Sequence, residues 1–454
     1  MSFYSGQSVI ISPMSLLSKF KDDPLLGKVL RSTGALFGGN SVSLGLSVLQ
    51  SILAARLLGP AGFGLVGIVM SYASTVNGFL SFRMSELVVR YGGEYLENDE
   101  KEKTAALVKA AAFSESSVSL LAFIFVALTA ALAAEHIAKT PNTAMLFIVY
   151  SLGLLANFNA ETSTGVLQML GKIKYQGVIN LVQSILTAGL ITLAYFTNGS
   201  LQFVLFAYLA GKVVLGIGIF ATAFFQLTKR LGGGWWKANI NSIPKVKELA
   251  HFAFTSNLSA TAILIFRESE ILWVGFFLTV EAAGYYKAAY VIVGLLSVTA
   301  NPFILTTYPE INKLVVQKAW PRLKDFLKKI TTISTIYNLA LAAGFVIFGK
   351  WLLFISGREY VAAYPTLLVL LVGFTFNYIF FWNRPLLLSL GLTEYPLKAT
   401  MVAGVAKLAL AFPLVPRFGY IAEAALLSLY YITSVGAIVL RGVKEVRARM
   451  NEEG

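Results

Sequence analysis

Arg267-Glu268-Ser269-Glu270 is the densest group of ionisable residues inside any apolar stretch of this chain. An arginine there offers a planar fork of donors that matches the oxygens of a phosphate. Arg267 and Glu270 are three residues apart, so on a regular helix they share a face and neutralise each other. Two readings stay open: a local ion pair, or an arginine held for an anionic cargo. Ionisable side chains in long apolar segments are costly in lipid and mark sites by default. By that rule Lys212 and Lys407, deep in their segments, face either polar surroundings inside the protein or cargo. Arg384, just before Pro385, either lines a cavity or snorkels to headgroups. Glu161, in Asn157-Phe158-Asn159-Ala160-Glu161-Thr162, either carries a coupling proton or cation or bonds to a neighbouring helix. Glu268 and Glu270 are candidates for the same coupling or pairing roles. Glu115 and Lys287 give weaker signals, the latter as a marker of the membrane interface. The chain has no Cys and only two His, His136 and His251, so thiol chemistry and a His-rich metal site are excluded. No cofactor is expected.

These residues must be positioned by membrane helices. Of 454 residues 56% are hydrophobic and only 13% charged, against about a quarter charged in a soluble domain. Apolar runs near 20 residues recur along the chain, each long enough to cross about 30 Å of hydrocarbon. In lipid such runs must satisfy their own backbone hydrogen bonds, which makes them helices; a β-barrel would show short alternating segments instead. The predicted spans are 33–55, 63–84, 110–134, 143–169, 175–197, 200–226, 249–277, 284–308, 329–355, 361–388, 396–415 and 419–440. The expected fold is therefore an all-α polytopic membrane protein of about twelve helices. The longest polar stretches, about 85–109, 227–248 and 309–328, are too short for a soluble catalytic domain, so no enzyme is expected.

Lys and Arg crowd alternate loops. One side receives Lys19, Lys21, Lys28 and Arg31, then Arg90, Lys101, Lys103 and Lys109, then the basic stretches 229–247 and 313–329, and finally Arg441 to Arg449. The other side has only Arg56, Lys139, Lys350, Arg358 and Arg417. This bias places both termini in the cytoplasm, and it explains the formal charge of +14 without nucleic acid. Residues 1–32 read as a cytoplasmic tail, not a signal peptide.

A repeat is visible at a shift of 220 residues. Gly64 meets Gly284, Leu170-Gly171 meets Leu390-Gly391, Tyr175 meets Tyr395, and Asn198-Gly199 meets Phe418-Gly419. Six helices per unit give both halves one orientation. The expected organisation is an N-lobe, 33–226, a basic linker, 227–248, with Gly232-Gly233-Gly234, a C-lobe, 249–440, and a cytoplasmic tail, 441–454. Transporters built from such repeats bind cargo near mid-membrane between them.

Segment 52–72, ILAARLLGPAGFGLVGIVMSY, resembles the first hairpin of the polysaccharide (O-antigen, Wzx-type) flippases of the multidrug/oligosaccharidyl-lipid/polysaccharide (MOP) exporter superfamily. Segment 81–95, SFRMSELVVRYGGEY, resembles that family's exit from the second helix. Segment 353–373, LFISGREYVAAYPTLLVLLVG, resembles its ninth-to-tenth helix junction. The likeness runs from about 28 to 441. It implies a flippase that moves polyprenyl-diphosphate-linked oligosaccharide across the cytoplasmic membrane by alternating access. Membrane lipids and the polysaccharide assembly machinery are then its further partners. It also implies a central cavity lined by helices one, two, seven and eight, which puts Arg267 on the cavity. The rival expectation is a multidrug or metabolite exporter of the same superfamily. Such exporters favour cavity carboxylates, whereas the first span, 33–55, has no Asp or Glu and five intramembrane residues are basic.

Overall fold

The computed structural model describes residues 24–81, 84–243, 261 and 264–452, without the side chains of 24–41, 298–302 and 305. Nearly half of the seventh predicted span, residues 249–260, 262 and 263, lies outside what is described. Among the described residues there is no strand. Nine helices there are long and apolar enough to cross a membrane. One of them, Val42–Leu80, holds parts of two predicted spans.

Helix α1, Pro24–Leu80, is interrupted at Gly59, whose φ of 64° and ψ of 178° leave the helical region. Only glycine adopts that conformation without strain, and Pro60 then restarts the helix at the position proline tolerates best. The N-terminal half continues with α2 (Lys101–His136), α3 (Ala144–Ala156), α4 (Ala160–Met169), α5 (Lys174–Phe196) and α6 (Leu201–Leu231). The C-terminal half has α7 (Glu270–Phe277), α8 (Val280–Val316), α9 (Trp320–Ser356), α10 (Tyr364–Ile379), α11 (Asn383–Ser389), α12 (Glu394–Phe418) and α13 (Tyr420–Glu452). Side-chain caps set two starts: Ser200 Oγ accepts from Phe203 N at 3.4 Å, and Thr279 Oγ1 from Ala282 N at 3.1 Å.

Two differences from the sequence reading matter. Helices α2, α9 and α13 run past the predicted spans, because hydropathy marks only the part in lipid. Their polar ends are held by pairs one turn apart, including Lys329–Asp325 at 2.7 Å and Arg441–Glu445 and Arg449–Glu445 at 3.1 Å. Second, the spans predicted at 143–169 and 361–388 are each broken in two. Residues 157–159 and 380–382 leave the helix at nearly matching places in the repeat.

The halves meet along the second arm of α1 and α8. The contact is reciprocal under the 220-residue shift. A Cβ on Gly64 would collide with Val280 O, and a Cβ on Gly284 with Pro60 O. Nearby, Tyr360 donates to Ala55 O at 3.2 Å and stands edge-on to Phe63 at 6.1 Å, and Lys139 Nζ donates to Leu278 O. All of these lie at the end carrying the turns at Gly59 and Leu278.

Candidate functional site

Arg267 sits on a widened turn of π-helix, Leu264–Glu268, just before α7. Such a turn frees carbonyls that side chains must satisfy. Ser269 Oγ donates to Ile265 O at 2.6 Å, and Trp273 Nε1 reaches the same oxygen at 3.3 Å. Lys407 Nζ donates to Phe266 O at 3.2 Å. The turn also breaks helical phase. The three-residue spacing therefore no longer puts Arg267 beside Glu270, and the local ion pair considered from sequence does not form. Arg267 stacks over Tyr431 instead, its Cζ 5.6 Å from the ring centre.

Arg267 and Arg384 line one cavity of about 330 Å³, together with Tyr378, Asn383, Thr400 and Tyr431. Arg384 reaches it because the break after Ile379 restarts the chain as α11. No Asp or Glu is among the described lining residues. The lining residues belong to the C-terminal half and extend to Thr393, beyond the Gly391 turn. This is away from the seam at Gly64 and Gly284. Glu268, exposed, does not line the cavity.

Lys407 is a correction. Of the two surroundings its depth left open, cargo or polar groups inside the protein, it has the second: it is 3% exposed and bound away from the cavity. Its ammonium pairs with Glu270 Oε1 and lies 3.0 Å from Glu423 Oε1. Tyr286 donates to Glu270 Oε2 at 2.8 Å. This buried cluster ties α7, α8, α12 and α13 together and, through Phe266 O, holds the turn that carries Arg267. Lys212 is a second correction: it stays within the N-terminal half, 5.1 Å over the Tyr150 ring, and does not reach the arginines.

Glu161 accepts from Ser85 Oγ at 2.5 Å. Its backbone N–H and that of Thr162 donate to Glu115 Oε1 and Oε2, both at 2.8 Å. Glu115, on α2, thus caps the broken helix α4 from outside, where orphan N–H groups favour a carboxylate. Removing it strands two buried donors. Glu115→Ala should lower stability by about 2 kcal/mol, with Glu115→Gln losing less. Thermal unfolding in detergent reads this out, and an unchanged midpoint for Glu115→Ala would contradict the cap.

Sequence reasoning missed Glu423 and gave Glu115 too little weight. Glu423 was detectable as an acid four residues past the Gly419 turn in an otherwise apolar segment. Its partner was not detectable, because Lys407 and Glu270 reach it from other helices.

The fold defines a multi-pass α-helical membrane protein whose N- and C-terminal parts pack together along α1 and α8. The chain belongs to the polysaccharide biosynthesis protein family, whose model matches residues 29–315. It is 25% identical over 347 residues to inner membrane protein YghQ of Escherichia coli (strain K12), covering 74% of this chain and 94% of YghQ. Its fold is similar to an inward-facing MATE family multidrug resistance transporter of the MOP superfamily, with a TM-score of 0.69, 16% identity, and coverage of 91% and 96%. It is likewise similar to the lipid II flippase MurJ in an inward closed conformation, with a TM-score of 0.65, 15% identity, and coverage of 90% and 87%.

Proposed function

We propose that the protein is a flippase for polyprenyl-diphosphate-linked oligosaccharide in the cytoplasmic membrane. The observation that carries this is the convergence of Arg267 and Arg384 on one cavity with no carboxylate among its described lining residues. The barrier to flipping is moving a diphosphate and a hydrated glycan through hydrocarbon. Fixed guanidinium donors replace the lost hydration, while the polyprenyl tail stays in lipid. The bodies 33–226 and 249–440 move against each other about the α1–α8 seam, with both termini and 227–248 cytoplasmic. The rival reading, export of an organic cation, is favoured by the MATE fold likeness and opposed by the charge of this cavity.

Arg267→Ala tests the proposal. Losing a guanidinium from a desolvated phosphate should cost about 2 kcal/mol or more. Flipping of a fluorescent lipid-linked sugar in liposomes should fall by more than about tenfold. Arg267→Lys should recover part of it, since charge remains and the fork is lost. Among the described residues no carboxylate forms a salt bridge with Arg267, so yield should hold. Normal flipping by a well-folded Arg267→Ala, or ethidium transport that the change leaves intact, ends the diphosphate reading.

A further inference from the structure

Lys287, on α8, lies on the seam between the halves and is 8% exposed. Among the described residues its Nζ has no hydrogen-bond partner. The ammonium stands 4.1 Å from the centre of the Phe63 ring, and no described carboxylate pairs with it. The opposite half makes room for it. A Cβ on Gly67 would lie 2.7 Å from Lys287 Cδ and 3.3 Å from Nζ. Gly67 and Lys287 also exchange under the 220-residue shift, so one half places glycine where the other places a cation. The repeat itself therefore does not require a charge here.

Burying an ammonium without a counter-charge is strongly unfavourable, and a cation–π contact offsets only part of that. Methionine or leucine would fill the same space without the penalty. The lysine therefore works against the closed seam and gains a partner only where the seam is parted. We infer that Lys287 is a second anion-binding residue, covered in this state and uncovered at the hairpin end when Gly64 and Gly284 separate. This rests on the diphosphate reading above. The cavity of Arg267 and Arg384 takes the phosphate on one side, and Lys287 offers the next cation on the other. Binding the anion there removes the unpaired charge from the seam and holds it open until the cargo leaves.

The chain has no Cys, so a single introduced thiol is unique. Lys287→Cys should slow flipping about tenfold or more, the effect of losing one charge-assisted hydrogen bond. An impermeant sulfonatoethyl methanethiosulfonate, added on the side of the Gly59 turn, should label the introduced thiol. Labelling should be faster with Gly64→Val, and farnesyl diphosphate should protect. Aminoethyl methanethiosulfonate, which rebuilds the cation, should restore flipping; the sulfonate reagent should not. No labelling even with Gly64→Val, or equal effects of the two reagents, overturns the Lys287 site. Scored alongside, loss of flipping in Arg267→Ala with charge-independent behaviour at 287 overturns the Lys287 site alone. Normal flipping in Arg267→Ala overturns the reading beneath it.

Discussion

Lys407→Met should be among the most damaging single changes in the C-terminal half. It removes the one ammonium that, among the described residues, lies between Glu270 and Glu423, whose side chains are 1% and 0% exposed. Two carboxylates would then face each other without water or a cation. Breaking a buried pair by removing one partner typically costs about 3–5 kcal/mol, because the uncompensated charge remains. The same change frees Phe266 O and loosens the turn carrying Arg267. The expected result is a steep fall in monodisperse yield and in the thermal midpoint. Neutralising the acids as well should reverse most of it. A buried ionic cluster replaced whole by neutral groups of similar volume is often no less stable. Lys407→Met with Glu270→Gln and Glu423→Gln should therefore approach the parent in yield. If the single variant melts with the parent, or the triple variant is worse than the single, charge compensation is not what Lys407 provides.

This cluster also shows where the sequence could be read and where it could not. Apolar runs and glycine turns report the environment of a segment, so the helices and the reversal at Gly59-Pro60 were legible. The 220-residue repeat went further and pointed to Gly64 and Gly284, which the fold brings into reciprocal contact. Arg267 and Arg384 were legible as costly cations, and the structure brings them to one cavity. What failed were statements that needed a helical phase or a partner on another helix. The spacing from Arg267 to Glu270 assumed a regular helix, and the π-helical turn removes that assumption. Lys407 and Lys212 were indistinguishable by depth. Only packing separates a lysine tied to Glu270 and Glu423 from one lying over Tyr150. The two broken helices were hidden because Asn157 to Asn159 and Phe380 to Trp382 lie inside runs long enough to be read as single spans, with no proline at the break.

Gly64→Val should force the halves apart at the hairpin end. The atom met by a new Cβ is Val280 O, a backbone oxygen at the start of α8, and that Cβ would also lie 2.7 Å from Gly284 N. A flexible side chain could swing away; a helix backbone moves only with its whole half. Overpacking a close contact typically costs about 1–3 kcal/mol, and here relief comes from parting the seam. In a two-state equilibrium about 2.7 kcal/mol is roughly a hundredfold change in population. The closed arrangement should therefore become a minor species. Gly284→Val should act alike, since its Cβ meets Pro60 O. Gly294→Ala on the same helix is the control: nothing lies within 4 Å of its added Cβ. It should leave the seam as it is and favour the helix slightly. Spin labels at Ala61→Cys and Glu281→Cys, both exposed and related by the repeat, report the separation directly. The parent and Gly294→Ala should give one short distance, and Gly64→Val a longer, broader distribution. Flipping should fall with it, because a seam that cannot close leaves one side permanently open. An unchanged distance in Gly64→Val, with flipping at the parent rate, would mean that this glycine contact does not control the gate.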